Sequence, residues 1–441
     1  METIIKILSF LIFAKLFLFW LWLWQLKEYH IGRFIAHFET QVFVKIASSF
    51  WRLKHPEFTK KIIVIFLTGL ALVAFTTFYS YIFLFVLIVL SPIFCSLWIL
   101  LFQIPTVILR RRIMRKAAFK RRKFKDLVVV GITGSYGKTS TKEFLYSILA
   151  DKFGNKVLKT RDHQNSEMGI SKCVLDELKP EHQIFVCEMG AYNKGGIKML
   201  CDIVKPKIGI LTGINEQHMS TFGSQENIIK AKYELIESLP EDGTALFNEK
   251  NKYCVDLYKK TAGLKKFLYG EEAKFFGEEN ILGAQVVARE LGMTEDETCN
   301  AVFKIENKFG GIQKKKGINE INIVDATYSA NPDGVIAHLE YLKKLPGRKI
   351  IVMPCLIELG KASKEVHRRI GEKIVEVCDL AIIITKDRFK EIKETAGEKA
   401  VLIESPKGVF KKIINFIKKD DTVLLESRVP KQVIVLLKIR D

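Results

Sequence analysis

The sequence has 441 residues, of which 48% are hydrophobic, and carries 69 Lys and Arg against 49 Asp and Glu, a formal net charge of +20. This length excludes a single small domain and allows two or three domains, each with its own core. The basic excess and high apolar content together indicate nucleic acid or an anionic membrane surface as a partner. The positions of these residues along the chain distinguish the two.

Two long apolar stretches occupy the first hundred or so residues. The first, residues 4–26, contains three tryptophans and is long enough to span a bilayer. We favour a spanning helix over a cleaved signal peptide, because the stretch is too long, Lys15 interrupts it and no small-residue cleavage site follows. The second, residues 62–104, has no charged residue and predicts a helical hairpin with a turn near residues 76–80.

Basic residues flank these stretches. The run RRRIMRKAAFKRRKFK at 110–125 follows the hairpin, and six more Lys and Arg residues lie between positions 33 and 61. Because basic flanks stay on the cytoplasmic side, we predict about three transmembrane helices, a multi-pass location in the cell membrane and a cytoplasmic chain from about residue 126 onward. The basic run is interpreted as a solvated topology signal, with a specific anionic-lipid site as the alternative. Nucleic-acid binding thereby loses its main support.

Beyond residue 126 the pattern changes to short β-branched runs that alternate with amphipathic stretches, as in VVVGIT, IFVCEMG and KIGILTGI. Such alternation is typical of a parallel α/β sheet with crossover helices. A second series of this kind begins near Asn322, and we place the boundary near Gly310 and Gly311. We therefore predict a membrane region at 1–125 and α/β domains at 126–311 and 312–441.

The strongest chemical signal is GITGSYGKTSTKEF, residues 131–144, between a predicted strand and a predicted helix. Its glycines let backbone N–H groups approach a phosphate, while the Lys138 ammonium and Thr139 hydroxyl suit a triphosphate and Mg²⁺. Ile132 stands where the general P-loop pattern has its first Gly, so a chance turn is the alternative. We expect an ATP site in a P-loop-type parallel-sheet ATPase domain, followed by a Rossmann-like domain. Its expected residues are Gly134, Ser135, Tyr136, Gly137, Lys138, Thr139 and Ser140.

The loop TGSYGKTS resembles the phosphate loop of the Mur ligase family. The agreement continues in NSEMG at 165–169, CEMGA at 187–191, NEQHMSTFGSQENIIKAKYEL at 215–235, VDATYSANPDG at 324–334 and LIELGKASKEVHRRIG at 356–371. The last two segments are most similar to the family member that adds D-alanyl-D-alanine to a muramyl tripeptide. The resemblance covers residues 126–441 and implies an ATP-dependent amide-bond ligase that joins a peptide-bearing cell-wall precursor to an amino acid or dipeptide through an acyl phosphate.

The resemblance also implies roles for single residues. Lys138 and Thr139 would hold the triphosphate and a first Mg²⁺, with Glu188 as a further ligand to that ion. His218 would bind a second Mg²⁺, although imidazole is not a preferred magnesium ligand. Lys232 matches a lysine that the family carbamylates to support the metal. On residue type alone, Glu188 would equally be a capping or salt-bridge residue, His218 a structural histidine and Lys232 a solvated helix residue.

Further positions match the family's nucleotide and substrate sites. Those matching the nucleotide site are Asn248, Asn280 and Asp325. Those matching the substrate site are Asn165, Tyr328, Asn331 and Pro332. A simple turn is the alternative for the Ser-Ala-Asn-Pro segment, because Asn-Pro is a common turn sequence.

Three local departures from the family pattern concern single segments. The expected Arg after Gly311 is missing, which leaves Lys314 and Lys315 as candidates to replace it. Residues 251–279 form a short segment, which suggests that a small sheet has been lost. Leu425 and Glu426 stand where a Lys and a Gly are expected.

The largest departure is at the front of the chain, where membrane helices replace the soluble domain with which the family grips the UDP end of its substrate. UDP recognition therefore does not carry over, and we hypothesise that the acceptor is lipid-linked and arrives from the membrane. A UDP-linked acceptor remains open. Two other functions are alternatives: a nonenzymatic nucleotide-binding scaffold at the membrane, and a ligase or amidase subunit that acts on a lipid-linked precursor.

Overall fold

The computed structural model describes residues 2–38, 42–79, 81–161, 164–273, 277–309, 313–327 and 331–437. The chain divides into two compact units, residues 1–113 and 114–441. The second unit therefore begins before residue 125, where we placed the end of the membrane region. Its first residues belong to it because Ala117 and Arg121 are buried there.

All the regular secondary structure described in the N-terminal unit is helical, and residues 50–59 form a helix-free segment. Its helices are α1 (Glu2–Leu26), α2 (Ile31–Ala36), α3 (Val42–Ser49), α4 (Lys60–Tyr79), α5 (Tyr81–Val89), α6 (Ser91–Leu101) and α7 (Gln103–Arg122), the last of which ends in the second unit. Of the expected turn near residues 76–80, residues 76–79 continue α4, and residue 80 lies outside the described residues. Within the described residues, two stretches are long and apolar enough to cross a membrane, Thr3–Leu26 and Ser91–Arg122.

Aromatic and aliphatic side chains together form the core of the N-terminal unit, and further apolar side chains lie on its outside. Trp20 is fully buried and donates a hydrogen bond to Ser91 Oγ (3.2 Å). Large apolar side chains are exposed along these helices, among them Leu11 (58%), Leu67 (59%), Phe85 (66%) and Leu97 (65%). Extended apolar patches mark surfaces that meet a partner or a membrane.

The segment between α1 and α4 folds back along α1. Phe34 stacks on Trp24 with 4.2 Å between ring centroids. In the middle of α1, Lys15 Nζ donates to the backbone carbonyls of Ser49 and Phe50 (2.6 Å to the latter). Part of this basic segment therefore lies beside α1, a packing that the sequence did not predict.

The central domain contains a six-stranded parallel sheet in the order β2-β3-β1-β4-β5-β6. Its strands are β1 (Val128–Thr133), β2 (Val157–Lys159), β3 (Ile184–Glu188), β4 (Ile208–Leu211), β5 (Thr244–Asn248) and β6 (Lys265–Tyr269). Its helices are α8 (Lys138–Phe153), α9 (Glu167–Lys172), α10 (Gly196–Val204), α11 (Met219–Phe222), α12 (Gln225–Glu237), α13 (Lys252–Lys260), α14 (Glu278–Glu290) and α15 (Glu295–Phe309). The short segment after β5 supplies α13 and β6, and no separate small sheet occurs among its described residues.

The C-terminal domain has a second six-stranded sheet in the order β11-β10-β9-β12-β8-β7, in which only β7 is antiparallel. Its strands are β7 (Gln313–Lys316), β8 (Asn322–Ala326), β9 (Lys349–Met353), β10 (Leu380–Ile383), β11 (Ala400–Leu402) and β12 (Thr422–Glu426). Its helices are α16 (Pro332–Lys343), α17 (Ser363–Val377), α18 (Phe389–Ala396), α19 (Pro406–Ile414) and α20 (Lys431–Leu437). The two parallel α/β sheets are confirmed, whereas the boundary residues Gly310 and Gly311 lie outside the described residues.

The order of the central strands determines where a ligand can bind. β1 and β4 are neighbours in the sheet. The chain runs from β1 to β2 on one side, and from β4 to β5 on the other side, so the connections from these two strands go in opposite directions. In open α/β sheets, ligands bind at the carboxyl ends of the strands at such a switch point. Gly134 follows β1, Glu188 ends β3 and Thr212 follows β4, which places these three residues along one edge.

Arg121 fastens the end of α7 to the central domain. Its Nε donates to Val204 O (2.9 Å), Nη1 to Phe124 O (2.8 Å) and Nη2 to Leu127 O (3.0 Å). Our interpretation of the whole basic run as solvated is therefore wrong for Arg121. Its guanidinium is buried because backbone carbonyls replace the water it would otherwise bind.

Candidate active site

The phosphate loop turns between β1 and α8 through Gly137, which adopts the left-handed conformation with φ +78°. A Cβ at this position would lie 2.6 Å from Asn280 Oδ1, so a glycine is required for space as well as for conformation. Lys138 Nζ donates to Gly134 O (2.7 Å) and Ser135 O (3.1 Å), which holds the ammonium group over the loop. The loop therefore has the backbone and the cation that a phosphate site needs.

Glu188 contacts Thr139, the other residue predicted to bind the first Mg²⁺. Its Oε1 accepts hydrogen bonds from Thr139 Oγ1 (3.1 Å) and Asn165 Nδ2 (3.0 Å), and its Oε2 lies 3.4 Å from Lys142 Nζ. The side chains of Lys142 and Glu188 are 0% and 6% exposed, so the charge of each offsets the other in a dry environment. Sequence reasoning missed Lys142, although its spacing of four residues from Lys138 places both on one face of α8.

Magnesium fits this arrangement. Among the described residues, no group of three or more His, Cys, Asp or Glu could form a protein-only metal cage. Mg²⁺ rarely needs one, because it keeps several waters and takes one or two carboxylates together with substrate phosphates. The Thr139 hydroxyl and the Glu188 carboxylate, which meet beside the phosphate loop, suit an ion of this kind.

His218 begins α11 in a left-handed conformation, with φ +64°. Its Nδ1 lies 2.7 Å from Glu358 Oε2, and the Tyr192 ring packs edge-on against it. Burial lowers the pKa of His218, the positive charges of Lys232 and Lys138 lower it further, and Glu358 opposes both effects. The net direction favours the neutral imidazole, which is the form that binds metals.

Lys232 is only 3% exposed on the inner side of α12. Its ammonium group lies over the Phe222 ring, 5.6 Å from the centroid. Burial, and then the charge of Lys138, lower the pKa of Lys232 to about 7. The interpretation of Lys232 as a solvated helix residue is therefore wrong, and its amine is substantially neutral near pH 7.

Asn280 and Asn248, the two asparagines expected at the nucleotide, make different contacts. Asn280 accepts a hydrogen bond from Thr141 Oγ1 (3.0 Å) beside the phosphate loop, as expected for a residue of that site. Asn248 instead donates to Thr212 O (2.7 Å) and holds neighbouring strand ends together. Asn251, which sequence reasoning missed, donates to the Tyr136 hydroxyl (3.2 Å). Its only signal was the repeated Asn in Asn-Glu-Lys-Asn.

Asn215 joins the central domain to the C-terminal domain. Its Nδ2 donates to Asn331 Oδ1 (3.2 Å) and to Asp333 Oδ2 (3.1 Å). Asn331 also accepts from Gly334 N (2.9 Å) as the N-cap of α16, and Pro332 follows it as the first helical residue. The turn interpretation and the site interpretation of this segment are therefore compatible.

The remaining positions named from the sequence have different outcomes. Asp325 accepts hydrogen bonds from Thr327 N (3.3 Å) and Oγ1 (2.8 Å), which are local contacts after β8. Tyr328 lies outside the described residues, as do the side chains of Lys314 and Lys315. Glu426, at the departure before Ser427, is buried and bonded to His338 Nδ1 (2.6 Å).

A cavity of about 600 Å³ lies between the phosphate-loop edge and α16. Tyr136, Lys250, Asn251, Asp333, Ile336 and Arg369 are among its lining residues. The volume is within the ordinary range for small-molecule sites. Of the C-terminal residues in its wall, Asp333 and Arg369 were missed by sequence reasoning because their approach to the loop depends on the packing of the two domains.

This combination defines a class of protein: a P-loop-type nucleotide-binding α/β domain whose site is completed by a second α/β domain. The family model for the Mur ligase middle domain matches residues 132–313, and that for the Mur ligase glutamate ligase domain matches residues 312–428. The chain belongs to the Mur ligase family.

Individual members of the family are similar to this chain over part of their length. The UDP-N-acetylmuramoyl-tripeptide–D-alanyl-D-alanine ligase of Synechocystis is 30% identical over 283 residues, which are 58% of this chain and 61% of that protein. The enzyme of that name from Bacillus subtilis is 27% identical over 56% of this chain and 60% of its own length. The crystal structure of MurF ligase from Thermotoga maritima in complex with ADP has a TM-score of 0.65 and 26% identity, and covers 74% of this chain and 83% of its own. The chain thus spans about three fifths of the length of the curated relatives it matches.

Replacing Gly137 by Ala should weaken ATP binding at least about tenfold, because the new Cβ would collide with Asn280. Gly195→Ala is the matched control: Gly195 also has φ +78° before a helix, but nothing lies within 4 Å of its Cβ position. Calorimetric titration with ATP and Mg²⁺ measures both affinities. Equal weakening in the two variants would mean that backbone strain, and not the contact with Asn280, limits binding.

Proposed function

We propose that this chain is an ATP-dependent ligase that adds D-alanyl-D-alanine, or a related amino acid or peptide, to a peptide-bearing cell-wall precursor. The observation that carries the proposal is the edge where Lys138, Thr139 and Glu188 meet beside a cavity whose other wall is the C-terminal domain. The names of the most similar relatives support the choice of substrate.

The proposed chemistry follows from the charges at that edge. The γ-phosphoryl group of ATP would pass to the acceptor carboxylate, giving an acyl phosphate and ADP, and the incoming amine would displace phosphate to form the amide. Lys138 and the phosphate-loop N–H groups would neutralise charge on the transferring group. Mg²⁺ held by Thr139 and Glu188 would supply further positive charge, and a second ion would lie at His218.

Lys232 suits carbamylation by CO₂, which requires a neutral amine. With a pKa of about 7, roughly half of Lys232 is neutral at pH 7, against about one in three thousand for a solvated lysine. The reaction forms a bond from Nζ to the carbon of CO₂ and releases a proton. The resulting anion would lie near the cationic Lys138 and near His218 of the proposed metal site.

The carbamate should form increasingly as the pH rises through about 7, because protonation of the Lys232 amine blocks it below that value. A ¹³C carbamate signal from ¹³C-bicarbonate should appear in the wild-type chain and in Lys230→Ala, an exposed neighbour on α12, but not in Lys232→Ala. Ligase activity of Lys232→Ala should fall by about a hundredfold and recover partly with added acetate. A signal that persists in Lys232→Ala would place the carbamate elsewhere.

We further propose that the N-terminal unit is embedded in the cell membrane, with the second unit in the cytoplasm and the acceptor linked to lipid. The exposed apolar side chains of α1, α4, α5 and α6 support this location, since water is a poor solvent for so much apolar surface. The basic flank at residues 110–125 supports the orientation.

Cys299 provides a native reporter of this orientation, since it is exposed whereas the other seven cysteines are buried. A membrane-impermeant maleimide should label it in inside-out vesicles but not in intact spheroplasts, and Cys299→Ser should remove the label. Alkaline carbonate should leave the chain in the membrane fraction. Labelling in intact spheroplasts would reverse the topology, and release by carbonate would exclude an integral membrane protein.

The ligase itself is tested by phosphate release from the full-length chain in detergent with ATP and Mg²⁺. Release should require both a peptide acceptor and D-alanyl-D-alanine, be faster with a lipid-linked than a UDP-linked acceptor, and fall about a hundredfold or more in Lys138→Ala. Lys156→Ala, which removes an exposed lysine, should be unaffected. Nucleotide binding without release for any pairing would favour a scaffold, and equal turnover of both acceptors would remove the argument for a lipid-linked substrate.

A further inference from the structure

The C-terminal domain delivers one carboxylate to the proposed metal site. Glu358 lies in the loop between β9 and α17, and its Oε2 lies 2.7 Å from His218 Nδ1 in the central domain. The side chain of Glu358 is only 8% exposed. A buried carboxylate needs a specific partner, and this contact provides one across the two domains.

Backbone conformation and backbone contacts stabilise the contact between His218 and Glu358. His218 and Glu358 both have left-handed conformations, with φ +64° and +65°, which residues other than glycine rarely adopt. Ser220 N donates to Glu358 O (3.2 Å). A Cβ on Gly360 would lie 3.0 Å from Ser220 N, so the loop approaches α11 closely. Unfavourable backbone conformations persist where surrounding contacts hold them, and they occur often at functional sites.

The contact determines which nitrogen of His218 can bind a metal. An ionised carboxylate can only accept a hydrogen bond, so the proton lies on Nδ1 and the lone pair of the neutral ring lies on Nε2. Metal-binding histidines commonly donate their other nitrogen to a carboxylate, which fixes the tautomer and the ring orientation. His218 and Glu358 reproduce this pair, with the carboxylate supplied by a different domain.

We propose that Glu358 is a positioning residue for a divalent cation at His218, so that the second metal site is complete only when the C-terminal domain is docked on the central domain. The inference rests on the proposed function for the presence of the cation. The loop of Glu358 and the α11 segment of His218 then act as one unit. Metal binding at His218 and domain docking stabilise each other through the hydrogen bond between His218 and Glu358.

Binding of Mn²⁺ in place of Mg²⁺ tests the proposal without any turnover. The loss of the free Mn²⁺ electron paramagnetic resonance signal is followed in the full-length protein in detergent with a non-hydrolysable ATP analogue. The variants are His218→Ala, Glu358→Ala, Glu358→Gln and the double variant His218→Ala with Glu358→Ala. Glu365→Gln is the matched control, since it removes the same charge from an exposed residue of α17.

Glu358→Ala should weaken one of two Mn²⁺ sites about 10–100-fold while the nucleotide affinity and the other site stay unchanged. Glu358→Gln should weaken it less, because its amide oxygen can still accept from Nδ1, and Glu365→Gln should have no effect. In the His218→Ala background, Glu358→Ala should cause no further loss. An equal loss in that background, a loss at both sites, or a wild-type chain with one Mn²⁺ site insensitive to His218→Ala would overturn the proposal. A failed ligase assay would leave this measurement intact.

Discussion

The burial of the Glu188 carboxylate is the constraint on which the candidate site depends. A charge removed from water must be paired and hydrogen-bonded, and Glu188 meets this requirement through Lys142, Thr139 and Asn165. These partners come from α8 and from the loop before α9, so satisfying one carboxylate fixes the relative positions of the phosphate loop, β3 and the following segments. The same contacts leave the Thr139 hydroxyl and a carboxylate side by side at the edge of the sheet.

A second set of contacts connects the central domain to the C-terminal domain. Asn215 contacts Asn331 and Asp333. The Arg369 guanidinium lies 3.6 Å from Glu216 Oε1 through Nη1 and 3.9 Å from Asp333 Oδ1 through Nη2. Burial raises the pKa of Asp333, and the hydrogen bond from Asn215 opposes that rise. The contacts between the two domains are therefore polar, as is common at interfaces between domains of one chain.

The part of the site that is local in sequence could be predicted. The phosphate loop is one contiguous turn, so the types and spacing of its residues already specify a phosphate site, and the alternation of strands and helices specifies the parallel sheets. The contact between His218 and Glu358 joins residues 140 positions apart, and no local pattern encodes it. Lys232 appeared solvated because the helical pattern does not say that a lysine of α12 faces inward. The packing of the segment after α1 was missed because it depends on aromatic stacking and on Lys15, not on periodicity.

The tryptophans of the N-terminal unit have a spectroscopic consequence. All five in the chain, at positions 20, 22, 24, 51 and 98, fall within residues 1–113, and none falls in the second unit. Emission excited at the red edge of protein absorption therefore reports on the helical unit alone, with Trp20 and Trp24 in its dry interior and Trp51 on its surface. Emission will respond to the polarity around the helical unit, whereas far-ultraviolet dichroism will follow both units. The two signals together separate the unfolding of one unit from that of the other without any introduced label.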